Sequence, residues 1–136
     1  RLKGVRTALS KIGRRMDKDY IINIGSSASN CTDAMNQLLS LTDRPDAIIC
    51  ENNTIALEVS RQLEKAGISV PDEMAFLTFD RYPYSNIITP TPTIIDIDVY
   101  DMGVQAANTL VRKFENPDLF VQSFTTLPIL IKGKTT

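Results

Sequence analysis

Histidine is absent from the 136 residues. That single absence removes the usual general base of hydrolytic triads, the HExxH zinc motif and most catalytic zinc sites. Cysteine is scarce, and the two present, Cys31 and Cys50, have no second Cys or His beside them to make a metal-ligand pair or a CxxC redox motif. Both read as reduced core residues. No apolar run reaches the roughly 18 residues of a transmembrane helix, and the N-terminal stretch lacks the apolar segment and small-residue cleavage site of a signal peptide. The expectation is a cytoplasmic chain with no membrane partner, no cofactor and no metal. Net charge is only -1, so nothing pulls the whole molecule toward nucleic acid or anionic lipid. The chain opens on Arg1 within a helical pattern and without a start methionine, which suggests a piece whose upstream partner has been removed.

A hydrophobic content of 43% supports one compact domain with a real core. Seven basic residues fall in the first eighteen (Arg1, Lys3, Arg6, Lys11, Arg14, Arg15, Lys18). They alternate with Leu2, Val5, Leu9 and Ile12 at helical spacing, so the pattern over about 1 to 15 reads as the solvated face of an amphipathic helix rather than a phosphate-binding arm. The run from Tyr20 to Ile24, ended by Gly25, has the β-branched character of a buried strand. Asn30 to Thr42 places Cys31, Ala34, Met35, Leu38 and Leu39 on one helical face. Ala47 to Cys50 is a second short strand. Between Thr54 and Ala66 the apolar sector Ala56, Val59, Leu63 and Ala66 makes another helix, which Gly67 stops. Met74 to Phe79 is a third strand. Residues 81 to 93, with Pro83, Pro90 and Pro92, read as loop. A helix from about Asp98 to Glu115 carries the stripe Val99, Met102, Ala106, Ala107, Leu110, Val111 and Phe114. Gln122 to Ile131 fits an edge strand or an extended return, because Pro128 keeps it off a central position.

Strands alternating with helices imply a doubly wound α/β fold around a mostly parallel sheet. Ligands of such sheets bind beyond the carboxyl ends of the strands. The places to inspect are therefore Gly25 to Ser29, Glu51 to Asn53 and Asp80 to Tyr84.

Those places carry an ordered set of short motifs: Arg44-Pro-Asp-Ala-Ile48, Asn52 with Ala56-Leu57, Gly67, Val70-Pro71-Asp72, Phe79-Asp80, and Thr89-Pro90 with Thr93. With Arg1-Leu-Lys-Gly4 at the start, and Leu127-Pro-Ile-Leu130 and Thr135-Thr136 at the close, the chain resembles the LacI/GalR family along nearly its whole length. The resemblance implies a C-terminal subdomain of the type I periplasmic-binding-protein-like fold, in a two-lobed sensor whose small effector closes the cleft between lobes. Residues 1–96 would be the second-lobe core, 97–126 a crossover that completes a missing first lobe, and 127–136 the return. It further implies a homodimeric transcription regulator, not an enzyme, that meets operator DNA only through a missing N-terminal helix-turn-helix. An exported sugar-binding receptor is the alternative, disfavoured by the Val70-Pro-Asp72 and Phe79-Asp80 signatures. An enzyme using Ser26 or Ser27 has no histidine base, no GxSxG elbow and no Walker pattern behind it.

Carried over residue by residue, the resemblance makes Arg1, Ser26, Asn52 and Asp80 the effector-binding set. A guanidinium, an amide and a carboxylate suit the hydroxyls of a sugar or nucleoside. Each has a plainer alternative: Asp80 caps a loop, Asn52 caps a helix, Arg1 is a frayed terminus. Ser26 stands where many relatives place a stacking aromatic ring, and Ile97 where a glutamine is common, so the effector class stays open. The Asn52-Asn53 pair replaces the family's asparagine-aspartate and removes a negative charge near the cleft. Leu57, on the polar side of its helix, and Ile88 are implied dimer contacts. Without its first lobe, the helix from Val99 to Phe114 is expected to pack on a wrong surface, swap between chains or be poorly ordered.

Overall fold

The computed structural model describes residues 1–25, 30–81, 87–120 and 123–136. Four strands, β1 (Ala47–Cys50), β2 (Ala75–Phe79), β3 (Thr93–Asp96) and β4 (Ile129–Ile131), lie side by side in that order. β1 and β2 run parallel with Cys50 opposite Thr78, and β2 and β3 run parallel with Phe79 opposite Ile95. β4 closes the far edge antiparallel to β3. The mostly parallel α/β sheet inferred from the alternation of patterns is therefore present, with Pro128 just ahead of the edge strand.

The helices are α1 (Leu2–Lys11), α2 (Cys31–Leu39), α3 (Asn53–Lys65) and α4 (Val99–Glu115). α3 links β1 to β2 as the crossover that parallel pairing requires, and it packs on both strands and on α2. Its apolar sector is fully used: Ala56 and Leu63 are 0% exposed and Val59 is 3% exposed. Together with Cys31, Met35 and Leu38 from α2, and Cys50, Met74 and Phe76 from the sheet, they form the core. Each large side chain buried there contributes about 1.5–3 kcal/mol of transfer free energy. Gly67 follows α3 with φ +68, the left-handed stop for which glycine is suited.

Three expectations need correction. The segment 20–24 is not a strand. Lys18–Tyr20 is a short 3-10 turn whose cap, the Asp17 side chain, accepts from the Asp19 N–H, and the Asn23 side chain accepts from the Gly25 N–H at 2.9 Å. These local side-chain bonds hold the backbone out of a ladder, while Ile22 and Ile24 still pack on the core as an apolar run should. Thr93, expected to end a loop, instead opens the strand β3, Thr93–Asp96. The third correction concerns Ile88. Residues 87–90 fold back over α3, where the Ser60 hydroxyl donates to the Thr89 carbonyl at 3.2 Å. Ile88 is thereby 2% exposed within the core, and Leu57 is half-buried against the same cluster. Ile88 consequently offers no surface to a partner, whereas its neighbour Ile87 is 60% exposed.

α4 forms as a regular helix, capped by the Asp98 carboxylate accepting from the Asp101 N–H at 2.8 Å, yet none of its residues is buried. Val99 at 66% exposure and Phe114 at 78% show that the apolar stripe meets no partner among the described residues. The helix is neither misplaced on the domain nor irregular. It simply stands uncovered.

The C-terminal Thr135 ties the sheet together. Its hydroxyl donates to the Phe76 carbonyl at 2.6 Å and accepts from the Thr93 N–H at 2.9 Å, at 0% exposure. Replacing it with Val leaves two buried backbone groups unpaired, at about 1–3 kcal/mol each. Denaturant unfolding of Thr135→Val is expected to show a loss of at least about 1 kcal/mol. Burial also pushes the Cys50 thiol up from 9.0 to about 12. Below the unfolded value both states keep the proton. As pH rises from there toward the folded value, the unfolded chain releases a proton that the native chain holds, so stability falls. Native Cys50 is expected not to react with a thiol reagent at pH 8, and to react fully in denaturant.

Candidate functional site

Parallel pairing ends β1 and β2 at the same level, and the residues just beyond them meet there. Glu51, Asn52 and Asn53 lead into α3, while Asp80 comes directly after β2. Arg1 reaches this point from the start of α1. One of its terminal nitrogens donates to both Asp80 carboxylate oxygens, at 2.8 and 3.1 Å, and the other donates to the Glu51 carbonyl. The guanidinium lies 4.5 Å from the centroid of the Phe79 ring, a cation–π distance. Arg1 is thus held by a carboxylate, a carbonyl and an aromatic face together, and is not frayed.

The side chains of Arg1 and Asp80 remain 38% and 27% exposed. They are fixed in position yet open to a ligand. In this geometry the guanidinium can donate to hydroxyl or carbonyl oxygens, and the carboxylate can accept from hydroxyls.

Asp80 has φ 66, left-handed backbone that side-chain-bearing residues rarely adopt. Its N–H donates to the Ile95 carbonyl at 3.0 Å. Its carbonyl accepts from the Asn53 side-chain amide. The next N–H, of Arg81, donates to Asp96 Oδ1 at 2.9 Å, and Arg81 Nε lies 3.5 Å from Asp96 Oδ2.

Asn52 plays the part of a helix cap. Its Oδ1 accepts from the Ile55 N–H at 3.0 Å, with the extended backbone of an N-cap residue. The structure therefore unites Arg1 with Asp80 and places Asn52 beside them, with its oxygen engaged in capping. Ser26 lies outside the described residues. Ile97 is half-buried and lines a separate hollow of about 280 Å³ with Arg81, Asp96, Tyr100 and Leu127. A larger open hollow of about 490 Å³ runs along α1 beside Lys3, Arg6 and Lys11, away from the strand tips, and is the solvated basic face expected of that helix.

Sequence reasoning misses three participants. Asn53, which the sequence marks only by a lost charge, is 5% exposed and holds the Asp80 carbonyl; its Oδ1 meets no donor among the described residues. Phe79, to all appearance an ordinary strand residue, supplies the face under Arg1. Asp96 carries no signal at all, because β3 itself has none. Among the described residues no group of three His, Cys, Asp or Glu side chains is placed to hold a metal ion, and no helix is long and apolar enough to cross a membrane.

The periplasmic binding protein-like domain family matches residues 1–136. The ribose operon repressor of Escherichia coli is 30% identical over 132 residues, covering 97% of this chain and 40% of the repressor. The HTH-type transcriptional repressor PurR of Photobacterium profundum is 27% identical over 135 residues, covering 99% of this chain and 40% of that protein. A Bacillus cereus structure assigned as transcriptional regulator LacI superposes with a TM-score of 0.92 at 29% identity, over 99% of this chain and 48% of that one. The chain thus spans about two fifths of the length of these curated relatives.

An ion pair as exposed as Arg1–Asp80 contributes about 0–1 kcal/mol to stability. Thermal unfolding of Asp80→Asn is accordingly expected to differ from the parent by no more than about 1 kcal/mol. A larger loss would mean that the pair serves the fold rather than a ligand.

Proposed function

Because the chain belongs to the periplasmic binding protein-like domain family, with its likeness to LacI-type regulators, we propose that it forms the second lobe of the effector sensor of a LacI/GalR-type transcription regulator. The observation that carries this reading is the Arg1–Asp80 pair, held open to solvent where two parallel strands end. There it presents hydrogen-bond donors and acceptors to a small polar ligand, a sugar or nucleoside-like molecule. Asn52 and Ser26 complete the proposed set on this lobe, Asn52 through its amide nitrogen. The role is binding, and none of these groups is asked to do chemistry.

Two further observations support a two-lobed protein. The chain covers about two fifths of the curated relatives, and α4 carries an apolar stripe that no described residue covers. Residues 97–126 would cross to a first lobe and 127–136 would return. An N-terminal helix-turn-helix would meet operator DNA in the cytoplasm, and the sensor would pair as a homodimer with Leu57 at its contact. The names of the relatives, a ribose operon repressor and a transcriptional repressor, favour this over an exported receptor.

The test is a thermal-shift screen of the full-length protein against sugars, sugar phosphates and purines. A ligand that binds only the native state, at a hundred times its Kd, adds about 2.7 kcal/mol. At least one compound is expected to raise the Tm, and calorimetry on Asp80→Ala is expected to show that binding lost. Unchanged affinity in Asp80→Ala would remove Asp80 from the site.

A further inference from the structure

We infer that Asn53 and Asp96 are positioning residues that hold Asp80 in its left-handed backbone conformation and thereby aim its carboxylate at Arg1. The inference rests on the reading of Asp80 as a ligand-binding residue, and gives that site a mechanical support. A left-handed residue other than glycine costs about 1–2 kcal/mol, and such conformations persist only where neighbouring groups over-determine them. Asp80 is over-determined on both of its peptide planes. The plane before it is fixed by its N–H on the Ile95 carbonyl at 3.0 Å. The plane after it is fixed twice: its carbonyl accepts from Asn53, and the Arg81 N–H of the same peptide unit donates to Asp96 at 2.9 Å.

The two side chains come from opposite sides. Asn53 opens α3 immediately beyond β1, and Asp96 ends β3, so the strands flanking the central β2 each send one group to the residue at its tip. Both are buried, Asn53 at 5% and Asp96 at 9% exposure, so neither bond is readily exchanged for water. Their chemistry is also specific. The Asp80 carbonyl needs a donor, which an amide supplies and a carboxylate does not, whereas the Arg81 N–H needs an acceptor. Swinging φ out of the left-handed region would redirect the Asp80 Cβ and take the carboxylate from Arg1. Asp96 also stands two residues before the Asp98 cap of α4.

The full-length protein, labelled at aspartate and arginine, gives a readout independent of ligand. Wild-type Asp80 is expected to show left-handed Cα and Cβ chemical shifts and a protected Arg81 amide. Asn53→Leu removes the donor and Asp96→Ala the acceptor. Each is expected to move the Asp80 shifts out of the left-handed pattern and to lower Arg81 protection by about tenfold, the effect of about 1.4 kcal/mol. Asp96→Asn keeps an acceptor for the Arg81 N–H and is expected to retain the wild-type signature, whereas the similarly sized Asp96→Leu fills the space without an acceptor and is expected to lose it. Unchanged Asp80 shifts and protection in both Asn53→Leu and Asp96→Ala would overturn the inference, as would failure of Asp96→Asn to differ from Asp96→Ala. In parallel, D-ribose titration is expected to show about tenfold weaker binding in the two disruptive variants. Absence of D-ribose binding to the wild type counts against D-ribose as the ligand of the proposed site, while the shifts still decide the support of Asp80.

Discussion

Parallel pairing of β1 with β2, in the register that sets Cys50 against Thr78, determines where everything else can happen. Two strands running the same way stop at the same height, so the residues leaving one tip stand beside the residues leaving the other. Glu51 to Asn53 and Asp80 are brought together by this alone, although nearly thirty positions separate them. The core enforces the register. A slip of one residue would turn Phe76 and Thr78, both 0% exposed, onto the opposite face. α3 has to span back across the sheet, and its buried Ala56, Val59 and Leu63 leave it one position in which to do so. Thr135 then closes the start of β2 and β3 from the far end of the chain.

The legible parts of the sequence are those where periodicity and burial coincide. α2, α3, β1 and β2 lie within a few residues of their expected bounds because each has a continuous apolar face. Ile22 and Ile24 show the limit of that logic. They are apolar for burial, as inferred, but the Asn23 and Asp17 side chains bond their own backbone and keep the segment out of the sheet. β3 escapes notice for the converse reason. Thr93 and Asp96 are polar in composition yet buried by specific hydrogen bonds, to Thr135 and to Arg81, that no local pattern announces. At the site, the resemblance to LacI/GalR regulators points to Arg1 and Asp80, whereas Asn53 and Phe79 become visible only once the strand tips are placed side by side. Asn52 answers to its reading as a helix cap, and an N-cap at the end of β1 necessarily stands at the same tip.

α4 poses a different question, because its sequence pattern matches the helix that forms, yet none of the described residues covers it. A cap at Asp98 and Lys113 in the last turn favour the helix locally. Helices draw most of their stability from a packed face rather than from propensity. An apolar stripe with Val99, Leu110, Val111 and Phe114 all more than half exposed is thus a surface made to be covered. The compact part of the chain does not need it, since α4 makes none of the principal element contacts. The core and α4 are therefore separable in energetic terms.

The charge arrangement at the strand tips points the same way. A fully buried pair between Arg1 and Asp80 would carry a desolvation cost that its attraction does not reliably offset, and a fully exposed one would be mobile. The observed pair is intermediate. The Phe79 face and the Glu51 carbonyl hold the guanidinium without hiding it, and the strained backbone of Asp80 sets the carboxylate opposite. Little reorganisation is then left for a ligand to bring about in these two groups, so more of its hydrogen-bonding energy appears as affinity. Hydroxyl groups arriving at this edge would find their donors and acceptors already placed, on one wall only. A ligand enclosed on one side is weakly held. In the two-lobed reading proposed above, closure by a second wall is the step that would turn a preset edge into a switch.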